Sequence, residues 1–208
     1  MKINKQISSL EILIPMILGD GYIRKKKNAY FEFCHSYKQK EYALWKLELL
    51  KRYCSVRKFK FGDKKHNPPQ VFVRTSVHHK INSAYRKTYE NGKKVVKNEA
   101  LKRITPLSLA IWYMDDGTAL KKYKTRKGLP KKNPYIAQIR LCTHSFSFEE
   151  NNLIKNYFRQ KFGLNFRIYR DRKFFYLSCV GKNEVNKFIG IVQKYMALCP
   201  SMLYKITI

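Results

Sequence analysis

LIPMILGDG, Leu13 to Gly21, and LAIWYMDDG, Leu109 to Gly117, decide how this chain is read. Each is an apolar run at helical spacing that ends in aspartate followed by glycine. A helix C-terminus carries partial negative charge, so an aspartate in its last turn sits where the macrodipole disfavours it. Two such placements call for a cation nearby. The sequence holds five aspartates, and Asp20, Asp115 and Asp116 all fall in these two segments, which points to a metal-dependent site built across two similar halves.

Other features repeat in the same order. Asp20 answers Asp116 at an offset of 96, and the HSY at His35 answers the HSF at His144 at an offset of 109. A basic insertion between Lys121 and Pro134 accounts for the growth. KQKEYALWKLELLKRY from Lys38 then answers SFEENNLIKNYFRQKF from Ser147, and GKKVV at Gly92 answers MLYKI at Met202, pairing Lys94 with Lys205. Lys93 competes with Lys94 because the local spacing slips by one. Ser8 with Glu11, and Ser147 with Glu150, have capping-box spacing, and Thr105–Pro106 is a helix start. Strand signals begin at Tyr30, Lys58, Val71, Tyr135, Phe166 and Phe174, with Pro68 and Pro69 in a turn. The expected fold class is α+β, with each half running helix, two strands, helix, two strands, helix. The halves, residues 1–100 and 101–208, are expected to form one pseudo-dimeric unit with the motif helices packed at its centre. Pro15, flanked by bulky Ile14 and Met16, is expected to kink the first motif helix.

Composition names the partner. Lys and Arg number 44 against 14 Asp and Glu, a formal charge of +30 spread along 208 residues. A polyanion relieves that self-repulsion and releases counterions on binding, so double-stranded nucleic acid is expected. Hydrophobic residues at 44% and aromatics at 14% exclude a disordered basic arm. Strand alternation offers Arg24, Arg57, Lys58, Lys60 and Arg74 from one half, and Arg140, Arg167, Arg170 and Arg172 from the other, as groove contacts. The five cysteines are odd in number and lack any CxxC pair, which indicates buried thiols in a reducing compartment rather than zinc or disulfides. Leu10 to Leu18 is broken by Glu11 and Pro15, so neither a secretion signal nor a membrane span is expected. The bias towards Lys, Ile, Tyr, Phe and Asn suggests an AT-rich, organellar coding sequence.

At its two motifs, MILGDGYI from Met16 and ITPLSLAIWYMDDGT from Ile104, the chain resembles the LAGLIDADG homing endonucleases, in particular the single-chain, two-motif branch encoded by group I introns in mitochondria and chloroplasts. The resemblance, with the HSF-FEE element and the terminal LYKI, covers nearly the whole chain. It implies a monomeric endonuclease making a Mg²⁺-dependent double-strand break with short 3′ overhangs at a long site. Asp20 and Asp116 would hold two or more divalent ions with the carbonyls of Gly19 and Asp115. Lys94 and Lys205 would approach the active centre, and His35 and His144, where the family often has glutamine, are candidates for positioning water. The resemblance also leaves open a group I intron maturase, which would bind intron RNA, or a non-catalytic DNA-binding protein on the same fold.

Overall fold

The computed structural model describes residues 7–62, 69–124 and 132–208, so Pro68 and the middle of the basic insertion lie outside the described residues. The first half runs α1 (Ser9–Leu18), β1 (Tyr22–Lys25), β2 (Ala29–Ser36), α2 (Lys40–Lys51), β3 (Val56–Phe61), β4 (Gln70–Thr75) and α3 (His79–Thr88). A two-residue hairpin, β5 (Tyr89–Glu90) and β6 (Lys93–Lys94), and a short α4 (Asn98–Leu101) lead to the second half. That half runs α5 (Pro106–Asp116), β7 (Gly117–Lys124), β8 (Lys132–Leu141), α6 (Phe148–Phe162), β9 (Arg167–Asp171), β10 (Phe174–Val180) and α7 (Lys182–Met196), and closes on a 3-10 turn, Pro200–Lys205. The expected α+β order is therefore observed.

Each half contains one four-stranded antiparallel sheet, ordered β1-β2-β4-β3 and β7-β8-β10-β9. Alternation gives each sheet a covered and an open face. In the first, Ile23, Phe31, Phe33, Val71 and Val73 are buried under helices, while Tyr22, Arg24, Tyr30, Phe72 and Arg74 point the other way. The strands β1 and β7 follow directly on the two aspartate-glycine pairs and carry too few apolar residues to stand out in the sequence. Part of the basic insertion is accordingly strand: Lys121–Lys124 extends β7 and pairs with β8.

The motif helices α1 and α5 pack together at the centre, with α3 against α1 and α7 against α5. Both capping boxes form, and Thr105 caps α5 from the position before Pro106. Pro15 lies inside α1, which stays helical from Ser9 to Leu18. A proline cannot donate to the carbonyl four residues earlier, here Glu11. That carbonyl instead accepts from the Ser108 hydroxyl of α5 at 2.7 Å. The seam between the helices thus supplies the bond that proline removes. Replacing Ser108 by alanine takes this partner from a part-buried carbonyl and is expected to cost about 1 kcal/mol, read as a shift in the urea midpoint at unchanged slope. Among the described residues no helix is long and apolar enough to cross a membrane.

Candidate active site

Asp20 and Asp116 stand at the C-terminal ends of α1 and α5, where the packing of the two helices brings the motifs together. Two lysines cap those ends from outside the helices. Lys94, on β6, donates from Nζ to the carbonyls of Gly19 (2.9 Å) and Gly21 (3.0 Å). Lys205, at the end of the 3-10 turn, donates to the carbonyls of Met114 (2.6 Å) and Asp115 (3.3 Å). A cation at a helix C-terminus is favourable. Burial lowers the pKa of both ammonium groups, and the aspartates oppose that shift. The hairpin β5–β6 places Lys94 rather than the exposed neighbour Lys93 on these carbonyls.

Asp115 has a separate task. Its side chain is fully buried and so is that of Lys46 from α2. The Lys46 ammonium donates to Asp115 Oδ1 (2.8 Å) and Oδ2 (2.9 Å) and lies 3.2 Å from His35 Nε2. Its three protons therefore have three acceptors. The Tyr42 hydroxyl donates to Asp115 Oδ1 at 2.7 Å, and the Asp20 amide donates to Oδ2 at 3.4 Å. The opposing residue on α1 is Gly19, and a Cβ there would lie 2.6 Å from Asp115 Cβ and Oδ2. Asp115 thus ties α5, α2 and the end of α1 into one buried network, and only a residue without a side chain fits against it.

His35 belongs to the same network. Burial and then the Lys46 charge lower its pKa to about 4, so it is neutral at physiological pH. An ammonium is only a donor, so Nε2 accepts from it and Nδ1 carries the proton. Nδ1 lies 3.6 Å from Asp20 Oδ2. His144 is not brought to the centre; its Nε2 lies 3.7 Å from Asp171 Oδ2 and its ring packs on Tyr176. The sheet registers explain the difference. Tyr22 pairs with Glu32, and its counterpart Thr118 pairs with Arg140. The counterpart of His35 is therefore buried Thr143, whose hydroxyl donates to Asn151 Oδ1. The HSY and HSF tripeptides are one residue out of structural register, and a slip of one residue turns a side chain to the opposite face.

Asp20, His35 and Asp115 each present a ligand atom within 4.8 Å of the others. Both Asp115 oxygens are taken up by donors, so that trio is not an open cage for a cation. The carboxylates of Asp20 and Asp116 are different. No donor among the described residues hydrogen-bonds to the Asp116 carboxylate, and Asp20 has only the His35 ring beside it. Burial, then repulsion from Asp115 and Asp20, raises the Asp116 pKa to about 7; burial and Asp115 raise that of Asp20. Two under-compensated carboxylates are a hard oxygen donor set of the kind that suits Mg²⁺. The neighbouring carbonyls of Gly19 and Asp115 accept from Lys94 and Lys205 in this structure, which leaves the two aspartate side chains as the part of the donor set open to a cation.

The basic residues singled out for groove contact divide between faces. Arg24, Lys58, Lys60 and Arg74 share the open face of the first sheet, with Arg57 at the bulge beside Lys58. Arg57, Lys58 and Arg74 line a recess of about 370 Å³ with Lys26 and Tyr30. In the second sheet Arg140 and Arg167 flank Ser178 on the open face. Arg170 pairs across from Phe175, on the side of buried Leu177, and donates from Nε to the carbonyl of Arg172 in the β9–β10 turn.

The family profile described as the LAGLIDADG DNA endonuclease family matches residues 10–188. The probable intron-encoded endonuclease 1 of Wickerhamomyces canadensis is 29% identical over 203 residues, covering 94% of this chain and 82% of that protein. Protein RecA of Mycolicibacterium flavescens is 30% identical over 203 residues, again covering 94% of this chain. The chain spans only 45% of that relative's length. Among solved structures, the homing endonuclease I-WcaI bound to its DNA recognition sequence superposes with a TM-score of 0.77 at 25% identity, over 100% of this chain and 95% of that one.

Proposed function

The chain belongs to the LAGLIDADG DNA endonuclease family, and from that premise we propose that it is a monomeric, site-specific homing endonuclease that makes a double-strand break at a long DNA site. In this reading residues 1–100 and 101–208 are two halves of one unit, each serving one strand. The observation that carries it is the pair of carboxylates, Asp20 and Asp116, left without hydrogen-bond donors at the adjoining ends of two packed helices.

Divalent ions held by Asp20 and Asp116 would neutralise them, polarise the scissile phosphates and make water a better nucleophile near neutral pH. The chain's own groups do the rest. Lys94 and Lys205, fixed by the helix carbonyls, place two positive charges beside the point where charge builds on each phosphate. His35 keeps a neutral ring beside that centre, its Nδ1 3.6 Å from Asp20 Oδ2 and too far to hydrogen-bond to it. The open sheet faces supply basic and aromatic side chains that position the duplex, so that each strand's phosphate meets the centre once. The first half's His35 has no ionic counterpart in the second, where the sheet register puts Thr143 in the corresponding place. The resemblance implies short 3′ overhangs and an intron-borne origin.

The test is selection of cleavable duplexes from a randomised library in Mg²⁺. Discrete double-strand cuts at one long motif are the expected result. Tight, salt-sensitive binding without cutting at any Mg²⁺ concentration would overturn the nuclease reading, and promotion of intron RNA splicing under those conditions would establish a maturase in its place.

A further inference from the structure

Glu32 is out of place. It lies on the open face of the first sheet, in a protein of charge +30, where a polyanion is to dock. A bare carboxylate there would repel every phosphate. It is not bare. Its Oε1 accepts from Arg24 Nε at 2.5 Å, and its Oε2 accepts from Arg74 Nε and is met by Arg74 Nη2, both at 3.0 Å. The Glu32 side chain is 9% exposed, against 59% for Arg24 and 33% for Arg74. The carboxylate therefore lies beneath two guanidinium groups that face outwards.

The rings around the triad complete the arrangement. The Arg74 guanidinium stacks on Tyr30 and Phe72 at 5.0 and 5.4 Å, and that of Arg24 lies 5.5 Å from the Tyr22 ring. Each arginine is thus gripped at its inner nitrogen by Glu32 and from the side by aromatic rings. Arginine otherwise loses about 2 kcal/mol of rotamer entropy on being fixed. Here that ordering precedes binding. Among the described residues no acceptor takes either terminal nitrogen of Arg24 or the outer Nη edge of Arg74. This is the fork that matches O6 and N7 of guanine in the major groove. A phosphate needs only a nearby charge, and no second-layer carboxylate is required to reach one.

We propose that Glu32 is a specificity-determining residue, which pre-positions Arg24 and Arg74 as readers of guanine in the half of the DNA site facing the first sheet. The inference rests on the endonuclease reading above and adds the base class and the residue that enforces it. The second sheet offers an internal comparison. In register, Arg140 stands where Glu32 does, Ser178 where Arg74 does and Leu120 where Arg24 does. There Asp171 shares the open face but lies beside His144, and among the described residues no carboxylate bridges Arg140 and Arg167, so that half-site is not under the same control.

The experiment is binding-site selection from randomised duplexes in Ca²⁺, with the full-length wild type, Glu32→Gln, Arg24→Ala and Arg74→Ala. Wild type is expected to enrich guanine at positions confined to one half-site, and each arginine variant to lose one or more of them. Glu32→Gln is expected to lose about tenfold discrimination at those same positions while its total affinity holds or rises, since a negative charge has gone. Preferences in the other half-site stay as they are. Undiminished guanine preference in Glu32→Gln, or a uniform loss of affinity at every position from a variant whose melting temperature matches wild type, would overturn the proposal. Should Glu32→Gln fold poorly, Glu32→Asp, which keeps the charge but shortens the reach to both arginines, is expected to give the same selective loss. Wild type that enriches no sequence at all overturns the endonuclease reading instead.

Discussion

Asp116→Asn abolishes DNA cleavage and, in the absence of divalent ions, makes the protein more stable. The first effect follows from removing one of the two carboxylates open to a cation, and is expected to lower the rate by at least about 10³-fold. The second follows from linkage. Burial, Asp115 and Asp20 raise the folded-state pKa of Asp116 from 3.8 to about 7. A raised carboxylate pKa means that the folded state holds its proton more tightly than the unfolded chain does. Its contribution to stability is complete below about pH 4 and is lost as pH rises towards 7; at higher pH the ionised group is a standing cost. The gap corresponds to about 4 kcal/mol at 1.36 kcal/mol per pH unit, and solvent screening at a partly exposed group lowers it to roughly 2 kcal/mol. Asparagine removes the charge. Metal-free Asp116→Asn should therefore melt about 4–8 °C above wild type at pH 7.5, with the difference vanishing near pH 4. Mg²⁺ should raise the wild-type melting temperature and leave the variant nearly unmoved, because a ligand stabilises only the state that binds it. A variant that cuts normally, or that melts below wild type at pH 7.5 without metal, would remove Asp116 from the site.

That trade between stability and function was legible in the two aspartate-glycine pairs, because an aspartate at a helix C-terminus advertises its own misfit. The helices, their capping boxes and most strands were legible for the same reason: each is a local pattern with a local cause. The missing parts depend on partners far away in sequence. Lys46 sits in KEYALWKLELLK, where a lysine among alternating charges reads as a solvated face. One signal was present. Lys46 lies three residues after Ala43 and four before Leu50, on the stripe that is buried, and a lysine on such a stripe needs an acid to meet it. The spare aspartate, Asp115, was that acid. The pairing of His35 with His144 misleads for a different reason. Tripeptide likeness carries no register, and only the ladders joining β1 to β2 and β7 to β8 show that the second histidine is one residue late. The donor that meets the carbonyl Pro15 leaves unpartnered is likewise out of local reach, a hydroxyl 97 residues away in sequence.

Lys46→Met is expected to be the most destabilising single change in the site, by about 3–5 kcal/mol, because it leaves Asp115 ionised and buried with no counter-charge. The network offers only His35 in its place, whose Nε2 lies 3.9 Å from Asp115 Oδ1 and whose burial opposes its protonation. Tyr42 and the Asp20 amide are neutral donors, and Lys94 and Lys205 are held on backbone carbonyls. The physical claim is about the pair rather than about lysine, so the decisive variant is Lys46→Met combined with Asp115→Asn. Asparagine keeps an acceptor for the Tyr42 hydroxyl and the Asp20 amide while removing the stranded charge. The double variant should therefore recover more than half of the loss, giving a coupling energy of about 2–3 kcal/mol in a double-mutant cycle read by urea unfolding. Strictly additive losses would show that the two groups do not stabilise one another. In the first motif Gly19 stands where the second has Asp115, so the motif pattern does not itself require a carboxylate at that position. Cleavage by the double variant should accordingly stay within about tenfold of wild type, since neither side chain is open to a cation. A loss as deep as that of Asp116→Asn, from a double variant with restored stability, would instead place the Asp115 carboxylate among the groups that touch the metal.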